Sequence, residues 1–270
     1  MTVSLVIATL GRREELARLL ESLETQTFRP FQVVIVDQNP PGYLDGVIAP
    51  HAATLDLAVV ACEPQGVSSA RNLGLERACG DLVAFPDDDC RYAPHTLERV
   101  AGLFAANPGM DGLVVAWGEE FSGDAAPAAM EPVSRTGAFR NAGALVQFYR
   151  REAVGDVRFD PTLGPGTGLP YGCGEDTDFL LRMLGNGARI HRVSELLVQH
   201  AAPDPGGRNL VPKTHAYARG RMRLLRKHGF PLWFRVANVL YPLGRLALEG
   251  PRAWRYRTAM FAGRLRAFWQ

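Results

Sequence analysis

No two cysteines in this sequence stand at metal-ligand spacing. Cys62, Cys79, Cys90 and Cys173 form no CxxC motif, which speaks against a zinc ribbon or a dithiol redox pair. They read as reduced thiols, mostly buried, in a cytoplasmic protein. No stretch reaches the roughly 20 apolar residues that a membrane-spanning helix needs. The first residues hold no charged-then-apolar leader, because Val3 to Ala8 is too short and runs straight into the fold. There is no GxGxxG after the first predicted strand and no GxxxxGK followed by Ser or Thr, so neither a dinucleotide fingerprint nor a P-loop is expected. Internal repeats and low-complexity segments are absent as well.

What is present is an ordinary folded composition with an uneven charge. The 270 residues are 47% hydrophobic and 21% charged, enough for one large α/β domain or a domain with an appendage. Residues 212–270 carry 13 Lys+Arg and one acid, Glu249. The remaining residues are net acidic. An acidic body, residues 1–211, with a basic tail, residues 212–270, is the expected organisation, and such a tail meets something anionic.

The opening run Val3–Ala8 is β-branched and apolar, a buried strand. Leu16, Leu19, Leu20 and Leu23 then recur at helical spacing among charges. Gln32–Asp37 is a second buried strand. Strand, helix, strand with continuous apolar runs implies a parallel sheet covered on both faces. Further strands are expected at Leu57–Val60, Leu82–Phe85, Leu113–Trp117, Ala144–Tyr149, Ile190 and Leu196–Val198. Helices are expected at Ser68–Cys79, capped by Ser68 or Ser69 and stopped by Gly80, at Thr96–Ala106 and at Asp176–Leu184. Ser122–Thr136 reads as a mobile surface loop, and Pro203–Asn209 as the boundary before the tail.

The chemistry concentrates at strand ends. Leu82–Phe85 delivers Asp87, Asp88 and Asp89, three adjacent carboxylates. Such a cluster needs a cation, hydrogen-bond donors or water, and at a sheet edge it suits a divalent metal holding a phosphorylated ligand. An acidic turn is the bland alternative. Thr9 and Asp37 also end predicted strands, and ligands bind at the carboxyl ends of strands in open parallel sheets. Gly66, Ser68 and Ser69 make a helix entry whose N–H groups suit an anion. Arg71 on its first turn is within reach of a phosphate or the carboxylates. Gly174-Glu175-Asp176-Thr177-Asp178 opens another helix, where acids are favoured by the helix dipole alone. Its functional reading is a general base at the helix mouth, with Glu175 or Asp178 structural. His200 is either a metal ligand or a core histidine.

These residues, in this order, resemble a family-2 glycosyltransferase of the GT-A fold over residues 3–200. The resemblance rests on Val3–Ala8 with Thr9 and Gly11-Arg12, on Gln26-Thr27 before Val33–Asp37, on Gly66 through Ala70-Arg71-Asn72-Leu73-Gly74, on Asp87-Asp88-Asp89 as a DxD-type motif, and on Gly174-Glu175-Asp176 as an acceptor-side ED motif. It implies an α/β fold with a mostly parallel central sheet flanked by helices, a Rossmann-like nucleotide-binding half, and here a helical basic C-terminal extension. It implies inverting transfer of a sugar from a nucleotide donor, UDP above all, to a hydroxyl of a glycan or lipid-linked acceptor in polysaccharide or glycoconjugate synthesis. Thr9, Arg12, Asp37, Gly66 and Arg71 would bind the nucleotide, and Asp87 and Asp88 the ribose or donor sugar. Asp89, with Asp87 and His200, would hold Mg2+ or Mn2+. Asp176 would be the base, with Glu175 and Gly174 on the acceptor side. Many relatives carry a further acid after the DxD pattern where this chain has Cys90.

In the tail, Trp254, Phe261, Leu265, Phe268 and Trp269 fall near one helical face rimmed by Arg252, Arg255, Arg257, Arg264 and Arg266. An aromatic stripe rimmed by Arg reads as an interfacial helix on an anionic membrane. The alternative is a helix packed on the body. No nucleic-acid recognition motif is present, so nucleic acid is not an expected partner. The rival functions are a sugar-nucleotide pyrophosphorylase, which would want a Gly-rich signature with Arg and Lys near the first strand, and a non-catalytic nucleotide or carbohydrate binder, which would be expected to lose Asp176 or the aspartates.

Overall fold

The computed structural model describes residues 1–121, 129–140, 143–201, 210–249 and 253–269. In chain order the strands are β1 (Val3–Thr9), β2 (Phe31–Asp37), β3 (Asp56–Ala61), β4 (Leu82–Ala84), β5 (Arg91–Tyr92), β6 (Gly112–Gly118), β7 (Glu131–Pro132), β8 (Gln147–Arg150) and β9 (Ile190–Gln199). The helices are α1 (Arg13–Glu24), α2 (Asp45–Ile48), α3 (Val67–Leu75), α4 (Thr96–Ala106), α5 (Arg151–Val154), α6 (Glu175–Gly185), α7 (Leu210–Lys227), α8 (Leu232–Glu249) and α9 (Trp254–Ala267).

One mixed sheet runs in the order β3-β2-β1-β4-β8-β6-β9-β5, with β7 beside β9. The first four strands of that order are mutually parallel, and β8 is antiparallel to both β4 and β6. β1 and β2 are apolar on both faces because helices cover both. Val3, Leu5, Val6, Ile7, Val33, Val34, Ile35 and Val36 are all buried. α1 turns Leu16, Leu19, Leu20 and Leu23 onto the sheet. α3 packs still closer, since a Cβ on Gly74 would lie 2.4 Å from Val6 Cγ1. This alignment brings the ends of β1, β2 and β4 to one edge.

Several local expectations are corrected. α3 begins at Gly66, with φ +85°, and has no side-chain cap. The Ser68 hydroxyl instead donates to the Leu163 carbonyl at 2.7 Å. α3 ends at Leu75, short of Gly80, whose N–H donates to the Ser4 hydroxyl. Ala144–Val146 is a turn of 3-10 helix ahead of β8, and Ile190–Gln199 is one bulged strand, not two. Within the expected loop Ser122–Thr136, residues 122–128 lie outside the described residues, and Glu131–Pro132 pair with β9. The expected boundary Pro203–Asn209 and Arg252 also lie outside them. Of the four free thiols only Cys90 is buried, while Cys79 is exposed.

The basic tail forms α7, α8 and α9. α7 docks on the body. Arg223 stacks on Tyr171 at 4.6 Å, Arg221 on Phe139 at 3.7 Å, and Phe230 packs on Phe139 at 5.2 Å. α9 lies on α7, where a Cβ on Gly263 would come 2.7 Å from Ala218 Cβ. The stripe read on α9 is therefore divided. Phe268 is buried, Phe261 is half-buried, and Trp254, Leu265 and Trp269 stay exposed. Among the described residues, no helix is long and apolar enough to cross a membrane.

Candidate functional site

The parallel strands set one wall of the site. Thr9 and Asp37 are register partners at the ends of β1 and β2. Both are buried. Asp37 Oδ1 accepts two bonds from Asn39, from its backbone N–H at 2.9 Å and its amide at 2.7 Å. The Asn39 side-chain oxygen, Oδ1, in turn takes the Gly11 N–H at 2.6 Å. The turns after β1 and β2 are thus tied together, a link that no local pattern signals.

β4 ends three residues before Asp87, and the three aspartates part company. Asp88 turns to Arg12, whose Nη1 lies 3.0 Å from its Oδ1. Burial raises the Asp88 carboxyl, and Arg12 only partly offsets it. Asp89 bonds the same Arg12 nitrogen and, with Asp87, also turns toward His200. One ligand atom from each of Asp87, Asp89 and His200 falls within 4.8 Å of the others. Two carboxylate oxygens suit Mn2+ or Mg2+, and the imidazole nitrogen favours Mn2+ of the two. His200 Nε2 is 3.2 Å from Asp89 Oδ1. Burial opposes the charge on Asp89, but the His200 bond and Arg12 overcome it and hold the carboxyl at about 2. The same bond raises His200. Trp117 stands edge-on to the His200 ring at 5.4 Å.

The opposite wall is the mouth of α6. Gly174 enters it at φ +105°, a left-handed conformation that suits glycine. Glu175, Asp176 and Asp178 fill the first turn. Asp176 meets Arg71, whose Nη1 is 2.8 Å from its Oδ1. The other Arg71 nitrogen, Nη2, bonds Asp87 Oδ1 at 2.6 Å. One buried guanidinium therefore joins the aspartate cluster to the α6 mouth, with Phe159 beneath it at 5.3 Å. Desolvation raises Asp87, against the pull of Arg71. Burial likewise raises Glu175, reinforced by Asp176, with Arg71 opposing at 3.9 Å.

The expected anion-binding helix entry at Gly66 is already occupied by protein. The Val67 N–H donates to the Pro165 carbonyl at 3.1 Å. A Cβ on Gly66 would meet Thr167 N at 3.0 Å, and one on Gly164 would meet Glu175 Cδ at 2.9 Å. The Gly164–Gly168 segment so closes over α3 and against Glu175, which explains Gly164 and Gly166.

Sequence reasoning offered Asp178 as a structural acid behind the α6 mouth but did not find its partners. Asp178, with no exposed side chain, receives Lys227 Nζ at 2.8 Å, His228 Nε2 at 2.8 Å and Arg182 Nε at 3.0 Å. Lys227 also bonds Asp160 at 2.6 Å, and with Thr162 it overcomes burial to hold that carboxyl at about 2. The signal in the sequence was the acid two residues beyond Asp176. Its partners on α7 were visible only as charge in the tail.

Comparison with known proteins places these features. Residues 4–145 match the model of Glycosyl transferase family 2. That segment includes Thr9, Asp37, Arg71 and the three aspartates, and stops before Asp176 and His200. A glucosyl-dolichyl phosphate glucuronosyltransferase of Haloferax volcanii is 33% identical over 112 residues, 40% of this chain and 36% of that one. The aligned part spans about a third of the length of the first curated relatives it matches. Two solved structures share the fold. The mannosyltransferase PcManGT of Pyrobaculum calidifontis, in complex with GDP-Man and Mn2+, superposes with a TM-score of 0.72 at 16% identity, covering 99% of this chain and 87% of that one. TarS 1-349 of S. aureus, in complex with UDP-GlcNAc, gives 0.62 at 20% identity, covering 100% and 93%. The fold is that of GT-A enzymes, a central sheet flanked by helices, and the chain belongs to glycosyl transferase family 2.

Proposed function

We propose that this glycosyltransferase moves a sugar from a nucleotide-sugar donor, UDP-linked in preference to GDP-linked, to a hydroxyl of a glycan or lipid-linked acceptor, with inversion and with a divalent metal. The observation that carries the reading is the Arg71 bridge. It puts a carboxylate suited to proton transfer, Asp176, across one side chain from the metal-competent set Asp87, Asp89 and His200.

Residues 1–211 act as the catalytic body and 212–270 as its tail. Thr9 and Asp37 sit where base and ribose are held. Asp88, paired with Arg12, faces the ribose or donor sugar. Gly66 contributes by letting the Gly164–Gly168 segment close over α3. Asp87, Asp89 and His200 would hold Mn2+ or Mg2+, which when bound neutralises charge on the departing diphosphate. Asp176 takes the proton of the acceptor hydroxyl as that oxygen bonds to the anomeric carbon. Attack from the face opposite the leaving nucleoside diphosphate gives one displacement and inversion. Glu175 and Gly174 shape the acceptor side. The dolichyl-phosphate-linked substrate in the name of the Haloferax relative supports a lipid-linked acceptor, and the basic tail supports work at the cytoplasmic face of an anionic membrane.

A panel of sugar nucleotides, each scored for released nucleoside diphosphate with and without acceptor, tests the reading. Binding of a sugar nucleotide with no release under any acceptor would leave a non-catalytic binder instead.

A further inference from the structure

α8 is inverted for a helix on a protein surface. Its three charged side chains all fall off the apolar arc and are paired with one another or with α9. Arg235 stacks on Phe268 at 5.1 Å, and Arg245 and Arg257 both bond Glu249. The opposite arc is Leu232, Trp233, Val236, Leu240 and Leu243, at helical spacing i, i+1, i+4, i+8 and i+11, and all five are exposed. Tyr241 and Leu248 extend it. No charged residue falls on this arc. From Leu232 to Leu248, the apolar ridge on α8 runs about 24 Å.

Tryptophan follows the same pattern. Of the four in the chain, Trp117 lies against His200. The others, Trp233, Trp254 and Trp269, are 68%, 54% and 84% exposed, and all belong to the tail. Indole rings concentrate at membrane–water boundaries, where one end is apolar and the other wet. Arg255 and Arg266 are exposed on the neighbouring helix α9.

We propose that the exposed face of α8, anchored by Trp233, docks into the headgroup–acyl boundary of an anionic lipid bilayer. Charge decides the occupant. The tail carries 13 Lys+Arg against one acid. A second copy on this face would bring two strongly basic surfaces together. An anionic leaflet offers apolar depth and opposite charge at once. The site gains a fixed height above the lipid, because α7, which carries α9 and so α8, touches the loop that opens α6. The inference deepens the membrane part of the proposed function and rests on it.

Flotation of the full chain with vesicles of phosphatidylcholine alone, or mixed with phosphatidylglycerol, tests it. Binding is expected with the anionic vesicles and falls at least about tenfold between about 0.05 and 0.5 M salt. Leu240→Glu and Trp233→Glu should each weaken it by about tenfold or more. Both side chains are exposed, so thermal midpoint and UDP binding should not change. Wild-type chain that fails to float overturns the proposal, as does flotation that both variants leave intact. A dimer that Leu240→Glu dissociates, without flotation, gives the face to a second copy and also overturns it. UDP binding is scored in parallel, so lost flotation with intact nucleotide binding counts against this surface and not against sugar transfer.

Discussion

Gly220 and Cys173 touch backbone to backbone. A Cβ on Gly220 would lie 2.2 Å from the Cys173 carbonyl oxygen. The contact fixes the middle of α7 against the residue before Gly174. Gly220→Ala should cost about 1–3 kcal/mol through overpacking and should also reduce transfer, because Gly174 to Asp176 must shift. Gly102 supplies the control. It lies inside α4 with nothing within 4 Å of its missing Cβ, so Gly102→Ala should stabilise by about 0.5–1 kcal/mol. Thermal unfolding of the two variants separates them. Equal midpoints would mean that the α7 contact relaxes freely.

Asp176 is the carboxylate best placed to take a proton, held by Arg71 from one side and with the Gln147 amide donating to its backbone carbonyl at 3.3 Å. Asp176→Asn keeps the shape and removes the base. Transfer should fall by about 10²–10⁴, while UDP affinity stays within a few fold. Initial rates and calorimetry measure the two quantities. Near-wild-type transfer would remove Asp176 from the role.

Lys227 and His228 act through Asp178, two residues beyond the base. Their bonds orient the first turn of α6 from the tail side. Lys227→Met keeps the stem and removes the charge. It should lower kcat by about tenfold and leave the donor KM nearly unchanged, with Lys227→Arg restoring part of the loss. A fall in donor affinity as large as that in kcat would show general unfolding of the site instead.

The donor half was legible because its signals are local. β1, α1 and β2 carry long apolar periods, and Thr96–Ala106 was read to the residue. Two-residue strands such as Arg91–Tyr92 have no period to read. The cap of α3 was misplaced because Ser68 spends its hydroxyl on Leu163, nearly a hundred residues away. Periodicity showed that α9 has an apolar face, but not that α7 covers part of it. It also passed over α8, whose apolar arc is seen to be exposed only once the helix is placed against α9. His200 was open between metal ligand and core histidine, and the bulged strand β9 that carries it to Asp89 decides its position.

Glu175 gives the stability a pH signature. Burial and the neighbouring Asp176 raise its folded-state pKa, from about 4.3 in the unfolded chain. The native state therefore holds this proton over a window where the unfolded chain has lost it. Its contribution is present below about pH 4 and declines as pH rises through neutrality. Glu175→Gln removes that decline. The variant should match wild type near pH 4 and exceed it at pH 8 by on the order of 1 kcal/mol or more. Denaturant unfolding at the two pH values is the measurement, and parallel profiles for both proteins would contradict the assignment.

The three aspartates share Arg12 only in part and differ in their remaining partners, which makes them separable by mutation. Asp89 bonds Arg12 and shares the metal-competent set with Asp87 and His200, whereas Asp88 bonds Arg12 and stands outside that set. Calorimetry of UDP with and without Mn2+ reads the difference. In wild type, Mn2+ should strengthen UDP binding by tenfold or more, roughly the 1.4 kcal/mol or above expected where a cation bridges carboxylates and diphosphate. Asp89→Ala should abolish that enhancement, and chelation of wild type should reproduce its effect. Asp88→Ala should weaken UDP or its sugar with the Mn2+ enhancement retained, since it leaves Arg12 bonded to Asp89 and the three-residue set in place. Metal-independent UDP binding in wild type and in Asp89→Ala alike would dismiss the metal reading. Loss of the enhancement in Asp88→Ala but not in Asp89→Ala would move the ligand one residue back along the turn.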